Sequence, residues 1–151
     1  MDIDEQASAP GESRVPIQPQ GVAMNVGERR TLPLAARLRW NDTGLDLLLG
    51  ATYQLVATGS WVDCRTVSGP EGYPSPNVLL RIAEWARAVP AEPWFALIGG
   101  LDRDRRTDFA VGRGCDYAPP RSGRLTCFAN DVPLLYFNNS GQIQLTVERT
   151  G

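Results

Sequence analysis

The stretch Gln142-Ile143-Gln144-Leu145-Thr146-Val147-Glu148 alternates apolar and polar residues without a break. Successive side chains of a β-strand point to opposite faces of the sheet, so this pattern predicts a strand with one buried and one solvated face. Upstream, Arg124–Ala129 has the composition of a second strand. These two segments predict a sheet at the C-terminal end of the chain.

Elsewhere in the chain, further short segments with strand character are separated by Gly, Pro, Asn and Asp, which favour turns. They are Thr31–Trp40, Leu45–Leu49, Ala51–Thr58, Trp94–Ile98 and Phe109–Gly112. Turns are predicted at Asn41–Gly44 and Gly50, and one strand is predicted to end at Gly59. Residues 102–106 are predicted to form the tip of a hairpin. The sequence therefore predicts an all-β, antiparallel β-sandwich of jelly-roll type. We assign residues 15–151 to one domain and residues 1–14 to a flexible tail.

One segment departs from the β pattern. Between Asn77 and Val89 the apolar residues recur at helical spacing, Pro76 suits the start of a helix, and Pro90 suits its end. We therefore expect one inserted amphipathic helix whose apolar side packs on the sheets. A helix that binds a partner is the alternative interpretation.

Composition excludes several classes of function. The 151 residues contain no histidine and no lysine, and the formal net charge is -2. Triads with a histidine base, Schiff-base chemistry and P-loop phosphate binding each need one of these residues. The near-neutral charge argues against a nucleic-acid partner, and no apolar run is long enough to insert into a membrane.

The cysteines, Cys64, Cys115 and Cys127, form no CxxC pair, so a structural zinc site is not indicated. A hairpin loop over residues 116–126 would bring Cys115 near Cys127, which leaves a disulfide and free thiols as alternatives. No secretory signal is visible at the N-terminus, and the compartment stays open.

The stretch from Asn130 to Gly141 lies between two predicted strands and carries oxygen donors. Asp131 supplies a carboxylate, Asn138 and Asn139 supply amides, and the carbonyl of Leu135 can turn inward in a curved loop. Calcium is bound by six to eight oxygens of these kinds. The same Asn-Asn-Ser-Gly sequence is also typical of an ordinary turn.

The residues Asn130-Asp131-Val132-Pro133, then Tyr136, then Asn138-Asn139-Ser140-Gly141, resemble the calcium- and sugar-binding loop of bacterial galactophilic lectins of the PA-IL type. Weaker similarity extends over residues 31–149. It includes Asp42-Thr43-Gly44, Ala57-Thr58-Gly59-Ser60-Trp61, Gly69-Pro70-Glu71-Gly72 and Leu97-Ile98-Gly99. The resemblance implies a galactose-binding-like sandwich, a calcium ion as cofactor and a carbohydrate as ligand.

The resemblance also implies roles for individual residues. The metal ligands would be the side chains of Asp131, Asn138 and Asn139 with the carbonyls of Leu135 and of Cys64, or of Asp63 if the register shifts by one. Two adjacent sugar hydroxyls would complete the calcium shell, with Asp131, Val132 and Asn138 at the sugar.

The family's histidine and glutamine that grip the sugar correspond to a loop that here contains Tyr73 and Asn77. We expect Tyr73 to stack on the sugar and Asn77 or Glu71 to accept a hydroxyl proton, or these residues to shape the loop only. A single weak site would gain strength from several copies, as a homo-oligomer or on a larger protein.

Two other functions compete with a calcium-dependent lectin. One is a structural or adhesive sandwich in which calcium is absent or is only a structural staple, an ion that stabilises the fold without binding a ligand. The lack of histidine favours this alternative. The other is a glycoside hydrolase, which needs two carboxylates about 5–10 Å apart. Asp63 and Asp131 are the candidate pair, but a calcium ligand is poorly placed to act as acid or nucleophile. We therefore expect a binding module and no enzyme.

Overall fold

The computed structural model describes residues 20–75 and 77–151. The tail predicted at residues 1–14, residues 15–19 of the predicted domain and Pro76 lie outside the described residues. The described chain forms two five-stranded sheets. In chain order the strands are β1 Val22–Ala23, β2 Arg29–Ala35, β3 Asn41–Leu47, β4 Tyr53–Asp63, β5 Thr66–Ser68, β6 Leu97–Leu101, β7 Asp104–Ala110, β8 Gly114–Tyr117, β9 Gly123–Ala129 and β10 Asn139–Arg149.

The first sheet has the order β1-β3-β9-β6-β7, and the second has the order β2-β10-β4-β5 with β8 paired to β4. Among the described strand pairs, β1–β3 is parallel and the others are antiparallel. The chain is therefore an all-β sandwich, as the alternating segments predicted. Within the described residues no helix has the length and apolar character needed to cross a membrane.

β10 lies inside its sheet and pairs with β2 on one side and β4 on the other. Ile143, Leu145 and Val147 are fully buried, so the predicted alternation is confirmed. They pack in the main core with residues from both sheets, among them Leu47, Tyr53, Leu55, Trp61, Leu97, Leu125 and Cys127. Burial of these apolar side chains is the main favourable term that holds the two sheets together.

Two predicted strand ends are wrong. Asn41–Gly44 is not a turn but part of β3, where the pairing with β9 shifts between Asp42 and Asp46 and Gly44 has a φ of 72°. The chain turns earlier, because the Asn41 side chain bonds both the N–H and the carbonyl of Ala35. Gly59 does not end β4, which continues to Asp63 along β10. Both glycines allow a local irregularity inside a strand.

The inserted helix is shorter than predicted. α1 covers Val78–Ile82, a 3₁₀ helix covers Ala83–Ala86, and Arg87 is extended. The side chains of Val78, Leu79, Ile82 and Trp85 are exposed, contrary to the expected packing on the sheets: Trp85 is 78% exposed and Leu79 is 76% exposed. The residues after the 3₁₀ helix do pack on the first sheet, where Ala88 and Val89 contact the Ile98–Phe128 cluster.

Cys64, Cys115 and Cys127 are free thiols. Residues 116–126 do not form a hairpin loop, because β8 pairs with β4 in one sheet and β9 pairs with β3 and β6 in the other. Both Cys115 and Cys127 lie at the core between the sheets, and burial raises the pKa of each thiol.

Candidate functional site

The loop of residues 130–138 carries the chain from β9 in one sheet to β10 in the other. Its first residue, Asn130, is completely buried. The Asn130 amide donates to the carbonyls of Val89, Glu92 and Pro93 at 2.9, 3.1 and 3.0 Å, and its side-chain oxygen accepts from the Val89 N–H at 2.9 Å. These four bonds fix the start of the loop against the segment that follows the 3₁₀ helix.

Tyr136 fixes the other half of the loop. It is 5% exposed, and its hydroxyl donates to the carbonyl of Ala129 at the end of β9. Burial is the main cause of its raised pKa. The Arg39 guanidinium lies near the Tyr136 ring, 5.6 Å from its centroid, and closer to the rings of Trp40 and Phe128 at 4.4 and 4.8 Å. The loop is therefore closed at both ends by buried contacts.

Asp131 lies inside this loop and is only 2% exposed. Its two carboxylate oxygens accept from the backbone N–H of Val132 at 2.7 Å and from the Asn139 amide at 2.9 Å. The ion pairs of the described residues do not include it. Burial, followed by the negative charge of Asp63, raises the pKa of Asp131. A buried carboxylate of this kind favours a bound cation.

The two asparagines contribute oxygens that accept no hydrogen bond. Oδ1 of Asn138 and Oδ1 of Asn139 are both buried and unpartnered. The Asn139 amide nitrogen donates to Asp131 and, at 3.5 Å, to the carbonyl of Ala36. A buried acceptor without a partner costs about 1–3 kcal/mol. Two such oxygens beside a buried carboxylate are an arrangement that a hard cation would stabilise.

Asp63 brings a second carboxylate to the site. It is the last residue of β4 and lies opposite Asn139 in the β4–β10 ladder. The Tyr73 hydroxyl donates to its Oδ2. The sequence pointed to a carbonyl at Cys64 or Asp63. Cys64 follows as an exposed residue with a left-handed φ of 53°, while the Asp63 carboxylate lies near Asp131.

Of the remaining predicted residues, Val132 and Leu135 bond within the loop, whereas Asn77 bonds within its own helical segment. Val132 donates to Asp131, and its carbonyl accepts the N–H of Leu135 at 2.9 Å. The carbonyl of Leu135 accepts the N–H of Asn138 at 3.2 Å, which leaves one of its two lone pairs for another partner. Asn77 lies just before α1, and its carbonyl accepts the N–H of Arg81.

Tyr73 lies at the edge of the site. Its N–H donates to the carbonyl of Trp94 at 2.8 Å, and its ring packs against the main core. Burial, followed by the charges of Asp63 and Asp131, raises the pKa of Tyr73. The hydroxyl is therefore turned toward the carboxylates and is already used by Asp63.

The candidate metal ligands of this site are all oxygen atoms. The described part of the chain contains no cluster of three or more His, Cys, Asp or Glu side chains. The site instead combines a buried carboxylate with two buried, unpartnered amide oxygens, and a second carboxylate lies close enough to raise the pKa of the first. Oxygen donors without imidazole or thiolate suit calcium better than zinc. The orphaned oxygens show that the residues present fit such an ion.

A cavity of about 670 Å³ lies elsewhere, on the first sheet beside β3 and β9. Four of its charged residues are paired: Arg124 bonds Asp46 at 2.6 Å and Asp42 at 3.0 Å, and Asp102 pairs with the nearby Arg121. None of the described residues that line this cavity has a buried oxygen without a partner, so we place the candidate site at the loop of residues 130–138.

Asp131, Asn138 and Asn139 are candidate ligands that their residue types predict from the sequence. It assigned Asp63 only a carbonyl as a metal ligand, and it gave no role to Asn130 or Arg39. The side chain of Asp63 reaches the site through its register with β10, which no local pattern encodes.

No protein-family model and no curated protein matches the chain. Its fold is similar to the solved structure of the EclA N-terminal domain, a PllA-like lectin. The TM-score is 0.59, the sequence identity is 20%, and the match covers 79% of this chain and 94% of that chain. At this identity the likeness establishes the fold: the chain is a β-sandwich of the kind found in that lectin domain.

Proposed function

We propose that this protein is a calcium-dependent carbohydrate-binding module without catalytic activity. The observation that carries the proposal is the pair of buried, unpartnered amide oxygens of Asn138 and Asn139 beside the buried carboxylate of Asp131. Each is costly without a cation, and together they have the chemistry of a calcium site. The lectin-like sandwich and the resemblance of residues 130–141 to a calcium- and sugar-binding loop support the same conclusion.

In this proposal Asp131, Asn138 and Asn139 hold the ion through side-chain oxygens, and Leu135 adds the free lone pair of its carbonyl. Asp63 adds negative charge, and the carbonyl of Cys64 or of Asp63 is the last ligand that the protein provides to the ion. The backbone bonds of Val132, Leu135 and Asn138 keep the loop curved before any ion arrives. A loop already held in its binding shape loses less entropy on binding.

Calcium held there would offer open positions to two adjacent hydroxyls of a sugar such as galactose. Val132 and Asn138 are both partly exposed, and in this proposal both contact the sugar. The Tyr73 hydroxyl donates to Asp63. In this proposal Tyr73 therefore positions Asp63 and does not stack on the sugar. Asn77 is a further candidate contact for the sugar.

One observation favours the competing function, in which calcium is a structural staple. Asp131 is 2% and Asn139 is 3% exposed, so an ion between them would be deep in the protein. A shell closed by protein alone would leave no position for a sugar. The hydrolase alternative is weaker, because Asp131 would be occupied by the ion and Asp63 by Tyr73.

The test is a glycan array probed in calcium and again in chelator, with the free energy of unfolding measured under both conditions. The lectin proposal expects stabilisation by calcium and sugar binding that disappears in chelator. Stabilisation by calcium without any sugar binding would establish the staple instead. Turnover of a chromogenic galactoside that persists in chelator would establish an enzyme.

The matched variants are Asn138→Leu and Gln144→Leu. Both replace an amide by an apolar side chain, but Gln144 is exposed on β10, away from the loop. Loss of calcium-dependent sugar binding is expected for Asn138→Leu alone. Equal binding in both variants would remove Asn138 from the site.

A further inference from the structure

Three connections meet at the end of the sandwich that holds the candidate site. They are the loop of residues 130–138, residues 64–65 between β4 and β5, and residues 36–40 between β2 and β3. Asp63 pairs with Asn139 across β4–β10 and with Thr66 across the β4–β5 hairpin. The N–H of Ala36 donates to the carbonyl of Gly141, near the start of β10, at 3.0 Å. The two shorter connections therefore adjoin the proposed sugar site.

Each of the two shorter connections carries an exposed arginine, Arg37 in one and Arg65 in the other. Arg37 directly follows Ala36, whose carbonyl accepts the Asn139 amide at 3.5 Å. Arg65 lies two residues after Asp63, the residue opposite Asn139 in the ladder. Both arginines are thus one or two residues from a neighbour of the proposed ligand Asn139.

Neither of these guanidinium groups has a partner. Within residues 20–75 and 77–151, the side chains of Arg37 and Arg65 form no ion pair, hydrogen bond or ring contact. Most other described arginines are paired with carboxylates or donate to carbonyls, namely Arg29, Arg30, Arg87, Arg105, Arg106, Arg113, Arg121, Arg124 and Arg149. Arg81 on α1 and Arg103 in the β6–β7 hairpin also have no side-chain partner among the described residues. Arg37 and Arg65 are therefore free to contact a ligand.

Calcium would change the balance of charge at this end of the sandwich. A divalent ion cancels the two negative charges of Asp63 and Asp131. Arg37 and Arg65 then leave this end positive, although the formal net charge of the whole chain is -2. A positive local potential attracts a negatively charged ligand. The planar guanidinium of arginine also forms charge-assisted, paired hydrogen bonds with carboxylates and related oxyanions.

We propose that the ligand is an acidic glycan, in which a carboxylate or sulfate next to the calcium-binding diol contacts Arg37 and Arg65. This inference rests on the proposed sugar site and adds the class of sugar that the site prefers. Calcium holds the diol, and the two arginines select the negative charge. A neutral sugar binds more weakly, because it offers these arginines only hydroxyls in place of charge-assisted hydrogen bonds.

Isothermal titration of the full chain tests the proposal with four sugars, each in calcium and again in chelator. They are galactose, galacturonate, the methyl ester of galacturonate, and galactose 6-sulfate. The methyl ester keeps the diol of galacturonate and removes its charge. We expect galacturonate or galactose 6-sulfate to bind about tenfold more tightly than galactose and the methyl ester. The two acidic sugars distinguish a carboxylate from a sulfate as the preferred group.

The variant for this test combines Arg37→Gln with Arg65→Gln, and it should reduce the preference to within about twofold. Arg103→Gln is the matched control, because it also removes an exposed arginine without an ion pair. It lies at the other end of the sheet: Leu97 of β6 pairs with Ala129 beside the loop, whereas Leu101 pairs with Leu125. The control should keep the preference of the wild type.

Equal binding of acidic and neutral sugars by the wild type overturns the inference and leaves the proposed function intact. A preference that survives in the double variant also overturns it, because the acidic group would then contact calcium directly. Equal losses in the double variant and in Arg103→Gln would attribute the preference to net charge and overturn it as well. A preference that the double variant removes in calcium and in chelator alike supports the two arginines and overturns the calcium dependence. No binding of any of the four sugars in calcium overturns both proposals.

Discussion

Asp63 and Asn139 face each other as a Cα pair at the end of the β4–β10 ladder. Asn139 in turn holds the Asp131 carboxylate at 2.9 Å, so one cross-strand pair brings two carboxylates to the same place. The ladder continues to Tyr53 and Arg149, and such a long pairing fixes the register firmly. The charges at the site are thus set by the sheet and not by the loop alone.

Asp63→Asn should relieve the repulsion between these carboxylates. In chelator we expect the free energy of unfolding to rise by on the order of 1 kcal/mol, because the like charge that raises the pKa of Asp131 is gone. The Tyr73 hydroxyl can still donate to the new amide oxygen. Calcium affinity, measured by isothermal titration, should fall about tenfold because the site loses one negative charge.

Asp116→Asn is the control for Asp63→Asn, since it removes the same charge from an exposed position on β8. It should leave calcium affinity within about twofold of the wild type. Equal losses in the two variants would attribute the effect to net charge and not to the site.

Asn138→Leu and Asn139→Leu should behave differently although the residues are neighbours. In chelator, Asn138→Leu should be as stable as the wild type or more stable, because it removes a buried acceptor that has no partner. Asn139→Leu should cost about 1–3 kcal/mol, because it breaks the hydrogen bond to Asp131. Urea denaturation in chelator measures both.

In calcium the same two variants should converge, since both remove a proposed ligand. Neither should show the rise in melting temperature that ligand binding gives the wild type. A full calcium response in Asn138→Leu would contradict the assignment of its side-chain oxygen to the ion.

Alternation predicted the strands that have one buried face. β10 is the clearest case, since Ile143, Leu145 and Val147 are all buried as the sequence indicated. Glycine was less informative, because it suits both a turn and an irregularity inside a strand. Gly44 and Gly59 lie within strands since β9 and β10 pair across them, and such long-range pairing leaves no local mark.

Contacts between distant residues, which the local sequence does not reveal, also decide the orientation of the helix and the composition of the site. Helical spacing indicates that Leu79, Ile82 and Trp85 share a face, but it does not say which side meets the protein. That was decided by Ser75 and Trp94, which provide partners for Glu84 and Arg87. Residue type identified Asp131 as a candidate ligand, whereas the nearby Asp63 carboxylate depends on register.

Asn130→Ala should be among the most destabilising single substitutions in this protein. It removes four hydrogen bonds that join the loop to Val89, Glu92 and Pro93. The carbonyls of Val89 and Pro93 keep the N–H groups of Glu92 and Ala96, whereas the Val89 N–H and the Glu92 carbonyl lose the partner that Asn130 provides. We expect a loss of about 3–5 kcal/mol in the free energy of unfolding. Urea denaturation measures it, with the exposed Asn25→Ala as a control.

A loss below about 1 kcal/mol for Asn130→Ala would mean that water replaces these bonds, and that the loop is not held as tightly as its contacts indicate.

Asp108 on β7 should make stability depend on pH. Burial raises its pKa to about 6, and the charges of Arg105 and Arg39 offset this only in part. Its Oδ1 is buried without a partner and lies 2.7 Å from the position that a Cβ on Gly100 would take. Because the pKa is higher in the folded state than in the unfolded state, the folded state holds the proton longer as pH rises.

Stability in chelator should therefore fall as pH rises from about 4 to about 6 and level off above that, by on the order of 1–2 kcal/mol after solvent screening. Asp108→Asn should remove this contribution and leave a flatter profile. Asp104→Asn is the control, because Arg106 lowers the pKa of Asp104 to about 2, below the range of the measurement. In chelator the raised pKa of Asp131 also makes the free energy of unfolding fall as pH rises. The variants are therefore compared with one another at each pH. An Asp108→Asn profile parallel to the wild type would show that Asp108 is ionised throughout and that water reaches its carboxylate.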